Sequence, residues 1–117
     1  MKCFYLEENA RGYPLSCKIS LLDDGMHVLL VGGCSTHIGS ISVAEPGQEM
    51  CSTRYPGHKD HVVGDKWART LADKRSGRTV VVCGIHYDNL SAEDISEIVA
   101  LTDRMLEELI SLLNYSS

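Results

Sequence analysis

The chain has little of what marks the specialised protein classes. No apolar stretch approaches the roughly 20 residues that a membrane helix requires, and no basic segment followed by a short apolar run opens the sequence. A soluble, intracellular, cytoplasmic protein with no membrane partner is therefore expected. The five cysteines, Cys3, Cys17, Cys34, Cys51 and Cys83, are odd in number and lack CxxC spacing, which argues against a disulfide framework or a zinc knuckle and for reduced thiols. With one Trp, one Phe and no basic residues interleaved among the tyrosines, an RNP-like nucleic-acid platform is excluded. Positive charge is not in excess: 11 Lys and Arg stand against 16 Asp and Glu, a net charge of −5, so nucleic acid is not the bulk partner.

What is present suits one compact domain spanning residues 1–117, because 44% apolar residues suffice for a two-layer core and leave no room for a second one. Loose alternation of apolar and polar residues over Lys2–Glu7 and Leu15–Leu22 reads as two strands. Asp23-Asp24-Gly25 is a turn signal leading into the apolar run Met26–Val31, so a hairpin is expected there. Ile38–Ala44 alternates again before Pro46-Gly47 breaks it, which fits an antiparallel meander. His58–Lys74 reads as a helix with Val63, Trp67 and Leu71 on one face. The β-branched segment Thr79–Ile85 reads as a buried strand, and Ser91 with Asp94 three positions on caps a helix running to about Leu113. The expected fold is α+β, a two-layer sandwich of order ββββαβα. One mixed, mostly antiparallel sheet of about five strands carries both helices on one face. The last helix has a stripe wider than one sheet face requires, with Leu101, Ile110 and Leu112 at its margins, so a homodimer contact is expected on it.

Three short polar runs stand at the ends of these elements, where sites are commonly built. In the first, Gly32-Gly33-Cys34-Ser35-Thr36-His37-Ile38-Gly39, the glycines let backbone come close to a ligand, although a glycine-rich hairpin explains it equally well. In the second, Arg54-Tyr55-Pro56-Gly57-His58-Lys59 puts two cations beside the free amides of a helix start, a setting for carboxylate or phosphate. The bland alternative is that Arg54 and Lys59 point into water or pair with Glu49 and Asp60. In the third, Gly84-Ile85-His86-Tyr87-Asp88-Asn89, His86 and Asp88 share one face of an extended segment, either as an oriented His–carboxylate pair or as part of an Asx-type turn. His27, alone in a strand, is assigned no role.

His37, His58, His61 and His86, with Cys34 and Asp88, supply metal-ligating chemistry, but their spacing matches no standard motif and no metal is expected. Cys34 or Cys83 as a thiolate nucleophile is a further alternative, with Cys83 reading as core because it lies in a valine run.

Taken together and in order, GGCSTHIGSISVAEP, YPGHKDHVVGDKWARTLA and VVVCGIHYDNLSAEDI resemble the LpdD-like prenylated-flavin chaperones, small proteins associated with UbiD-type decarboxylases such as the gallate decarboxylase. The resemblance covers about Leu15 to Leu109 and rests on the HIG, PGHK and GIHxDN elements at similar spacing. It implies a non-catalytic accessory protein, partner of a UbiD-type decarboxylase subunit and itself a homodimer, that binds prenylated FMN or FMN and delivers or protects it. The implied cofactor-binding positions are Gly32, Gly33, His37, Arg54, Gly57, His58, Lys59, Gly84, His86 and Asp88. On that reading Arg54, Lys59 and the amides after Gly57 hold phosphate, which suits a dianion at a helix start. His37, His86 and Asp88 contact the ring or the sugar chain. Two other readings stay open: a small metal- or His/Asp-assisted lyase or hydrolase built on His37, His58 and His86, and a structural subunit that docks a larger enzyme.

Overall fold

The computed structural model describes residues 1–55, 60–75 and 77–116. Its elements are β1 (Lys2–Ala10), β2 (Tyr13–Leu22), β3 (Gly25–Gly33), β4 (Ser40–Ala44), β5 (Cys51–Arg54), α1 (Asp60–Arg75), β6 (Arg78–His86) and α2 (Ala92–Ser116). They form one mixed sheet of six strands in the order β1-β2-β3-β6-β4-β5, with β6 parallel to β3 and every other pairing antiparallel. The α+β class and the mixed, mostly antiparallel sheet agree with the sequence. The additional strand is β5, whose CSTR carries no alternation of apolar and polar residues. It forms by pairing with β4 and is anchored by Ser52 and Arg54 to α1. The meander holds only for β1, β2 and β3, because β6 inserts between β3 and β4.

One face of the sheet is the core. Leu15, Cys17, Ile19 and Leu21 of β2, Met26, Val28 and Leu30 of β3, and Val81 and Cys83 of β6 are buried there with Trp67, Ala68, Leu71 and Ala72 of α1 and Met105, Leu106 and Leu109 of α2. Leu101 and Ile110 pack against the same cluster, so much of the width of the α2 stripe is used within the chain. On the opposite face Leu29, Val31, Val80, Val82, Ile41 and Val43 are only half-buried. On α2, Ile95 and Val99 remain exposed. No described helix is long and apolar enough to cross a membrane.

Small residues set how closely α1 approaches. A Cβ at Gly64 would stand 3.0 Å from Ser40 Oγ and 3.2 Å from Ser42 Oγ, so glycine in the helix lets α1 lie tightly on β4 despite its propensity cost. Asp65 is turned to the sheet. It accepts hydrogen bonds from Ser42 Oγ at 2.6 Å, Ser52 Oγ at 2.8 Å and Arg54 Nη2 at 3.4 Å.

The link from β3 to β4 must pass the intervening strand β6. It does so at Gly84, where a Cβ would fall 1.5 Å from the His37 carbonyl oxygen. The crossing is held by Cys34 N–H to His86 O and Gly39 N–H to Cys83 O, each 2.9 Å. Gly33, at φ 89°, turns the chain into it, and a Cβ there would lie 1.9 Å from His86 O. Replacing Gly84 with Ala is therefore expected to lower stability by about 3 kcal/mol, the upper range for overpacking. An unchanged denaturation midpoint would mean that the crossing segment yields freely.

The α2 start is a reciprocal capping box: Asp94 N–H donates to Ser91 Oγ and Ser91 N–H to Asp94 Oδ2, both 3.0 Å. The Ser91 backbone N–H first, then its hydroxyl, hold the Asp94 carboxyl below its ordinary range. The stability this contributes is fully present above the unfolded carboxylate pKa of about 4 and is lost as the pH falls through the lowered folded value. Melting temperatures of wild type and Asp94→Asn should differ at neutral pH and converge in acid.

Candidate functional site

The carboxyl ends of the parallel strands β3 and β6 bring the first and third polar runs together, a common place for ligands in open sheets. Tyr87 follows β6 with its side chain turned inward and only 8% of the residue exposed. With residues alternating in direction, His86 and Asp88 then emerge on the other side. His86 Nε2 and Asp88 Oδ1 are 2.9 Å apart. The His37 ring stands edge-on to that of His86, with centroids 6.3 Å apart.

Asp60, the first residue of α1, joins this cluster from the helix side. Its Oδ1 accepts the Ile85 backbone N–H at 2.9 Å, and its Oδ2 lies 3.0 Å from His37 Nε2. The side chain is 7% exposed, and that of His37 is 20% exposed. His37 Nδ1 faces Ser35 O at 3.3 Å, so both ring nitrogens face acceptor oxygens.

Two clefts flank Tyr87. One, of 200 Å³, is lined mainly by apolar groups: Val63, Ile85, Leu90, Ile95, Ile98 and Val99, with Asp60 and Tyr87. Ile95 and Val99 are 50% and 37% exposed, which leaves it open on the α2 side. The other, of 390 Å³, is mixed in character and lined by the charged Arg11 and Asp88 with Tyr13, Cys34 and Tyr87. The Tyr87 hydroxyl is buried without a hydrogen-bond partner among the described residues, and burial, followed by the neighbouring Cys34 thiol, pushes its pKa up.

The sequence-derived positions divide. His37, His86 and Asp88 meet in the cluster. Gly32, Gly33 and Gly84 border it, and the room where a Cβ would stand is occupied by the chain itself. A Cβ at Gly32 would strike Leu15, and Gly33 and Gly84 accommodate the crossing segment. Arg54 lies on β5 and reaches Asp65, not the Asp60 or Glu49 carboxylate named as its alternative partners. Gly57, His58 and Lys59 lie outside the described residues; the flanking Tyr55 donates its N–H to Gly39 O at 3.2 Å. Burial pushes the Cys83 thiol well above its ordinary range, which suits core and not a nucleophile.

Asp60 and Tyr87 were not legible as site residues. An acidic residue in a first helical turn is ordinary macrodipole compensation, and nothing local reveals its contact with Ile85 and His37. The one signal for Tyr87 was its place between His86 and Asp88 in an extended segment.

Removing the Asp60 carboxylate should orphan the Ile85 N–H. Asp60→Ala is expected to cost about 1–3 kcal/mol, and Asp60→Asn less because its amide oxygen can still accept. Denaturant titration with amide exchange at Ile85 would check this; faster exchange at Ile85 is expected in the alanine variant alone.

The model of the prenylated flavin chaperone LpdD-like domain matches residues 9–114. Protein LpdD of Lactiplantibacillus plantarum is 21% identical over 107 residues, covering 87% of this chain and 79% of that protein. A chain in the crystal structure of a chaperone complex for yeast 20S proteasome assembly superposes with a TM-score of 0.55. It is 12% identical, with 98% of each chain covered, a likeness of fold alone.

Proposed function

The chain belongs to the prenylated flavin chaperone LpdD-like domain family, and we propose that it binds prenylated FMN and delivers or protects it for a UbiD-type decarboxylase. An accessory, chaperone-type role follows from the family; cargo and partner are the proposal. The observation that carries it is the pair of clefts on either side of Tyr87, beside the His37–Asp60 and His86–Asp88 pairs. A flavin needs a flat apolar slot and polar groups at its edge. The slot between Val63, Ile85 and α2 offers the first, and the unpartnered Tyr87 hydroxyl offers a donor for the second.

Prenylated flavin is cargo here, and the decarboxylation chemistry it supports belongs to the partner. This chain's residues have to bind it, shield it from water and release it. The apolar side chains remove one ring face from water, while the exposure of Ile95 and Val99 leaves a route out. His37, His86 and Asp88 supply the polar rim. The phosphate is assigned to Arg54, Lys59 and the amides after Gly57. The Asp60 carboxylate is turned inward to Ile85 and His37, which lessens its repulsion of an anion outside.

A homodimer is part of the same proposal. The half-buried face formed by Leu29, Val31, Val80, Val82, Ile41 and Val43 suits it better than α2, whose stripe largely packs within the chain. A small His/Asp-assisted enzyme is the second reading, favoured by the two His–carboxylate pairs with rings 6.3 Å apart; it requires turnover.

The test is co-expression with a flavin prenyltransferase, followed by visible absorbance and native mass, with FMN alone as the control. Near-unit occupancy by prenylated flavin is expected, on a dimer mass. Arg54→Ala with Lys59→Ala should lower that occupancy while circular dichroism is unchanged, since charge-assisted contacts contribute roughly 1.5–3 kcal/mol each. A folded protein that emerges colourless would overturn the flavin reading.

A further inference from the structure

The geometry points to a divalent transition-metal site formed by Cys34, His86 and Asp88. This does not rest on the flavin reading. One ligand atom from each residue, the Cys34 sulfur, a His86 ring nitrogen and an Asp88 carboxylate oxygen, lies within 4.8 Å of the others. Cys34 Sγ is 3.7 Å from Asp88 Oδ2, and His86 Nε2 is 2.9 Å from Asp88 Oδ1. Ligands about 2.0–2.3 Å from a zinc ion in tetrahedral array stand at comparable separations, so small side-chain rotations complete the set.

The backbone builds this arrangement. Gly33 at φ 89° redirects the end of β3, so that Cys34 N–H donates to His86 O at 2.9 Å and the thiol is held beside β6. Inward Tyr87 then sets His86 and Asp88 on one side, and Asn89 at φ 55° ends the extended segment. Residues some fifty positions apart thus form a site that no local motif announces.

The donor set selects the ion. Thiolate and imidazole favour zinc and cobalt over magnesium and calcium, which prefer oxygen. Thiolate and carboxylate carry two negative charges that a divalent ion neutralises. Binding displaces the thiol proton and any proton shared by His86 and Asp88, which pass to solvent. Three protein ligands leave a fourth position, as in zinc sites that take water or a substrate. Cys34 and Asp88 also line the 390 Å³ cleft, with Arg11 and Tyr13 opposite, so that position faces a space able to admit an anionic ligand.

The experiment uses the full chain, purified without a His tag, stripped by chelator and free of flavin. Titration with Zn²⁺ and Co²⁺ should give one ion per chain, and cobalt should show a thiolate-to-metal charge-transfer band. Cys34→Ser should abolish the band, and His86→Gln and Asp88→Asn should each weaken binding by roughly tenfold or more. Cys51→Ser, at an exposed thiol elsewhere, should behave as wild type. The site is overturned if the folded wild type takes up no metal, if Cys34→Ser keeps the band, or if His86→Gln and Asp88→Asn bind like wild type. Flavin occupancy of the wild-type chain, measured separately after co-expression with the prenyltransferase, keeps the two readings apart: a folded wild type that binds flavin but no metal sinks only the metal site, and one that binds metal but no flavin sinks only the flavin reading.

Discussion

The buried Asp60 carboxylate is the tie on which the arrangement of the site depends. One oxygen receives the Ile85 N–H and the other faces His37, so a single side chain connects the start of α1, the end of β6 and the segment crossing from β3 to β4. Burying a carboxylate is costly unless its lone pairs are used, and here both oxygens have partners. The position of His37 is therefore set by the helix as much as by its own loop.

That tie requires α1 to lie close to the sheet. Gly64 against Ser40 and Ser42 removes the bulk that would hold the helix away, and Asp65 draws Ser42, Ser52 and Arg54 toward the same helix. On the other side of β6, Gly84 performs a related service by letting the crossing backbone rest directly on the strand. The glycines near the site thus serve the approach of protein to protein. Open space lies beside Tyr87, where an inward aromatic stands between a mainly apolar cleft and one that carries Arg11 and Asp88.

The two clefts differ in their walls. The apolar cleft is open along α2 and its enclosure is incomplete, whereas the other cleft carries Cys34, Asp88 and Arg11. Arg11 is itself held by Asp94 at 2.9 Å, which links the cleft wall to the capped start of α2.

Read alone, the sequence was sufficient for the elements with strong local signals. The Asp23-Asp24-Gly25 hairpin, the buried β6 segment and the Ser91/Asp94 cap follow from turn chemistry, β-branching and capping, all of which act over a few residues. The order of the three polar runs was also enough to indicate the family. It could not reveal β5, because CSTR has no periodicity and becomes a strand only by pairing with β4. Nor could it reveal that β6 separates β3 from β4, that Asp60 reaches Ile85, or that Cys34 meets His86 and Asp88. Those contacts join residues distant in sequence, and only the closure of the sheet, which exchanges chain entropy for burial and backbone pairing, decides which of them meet.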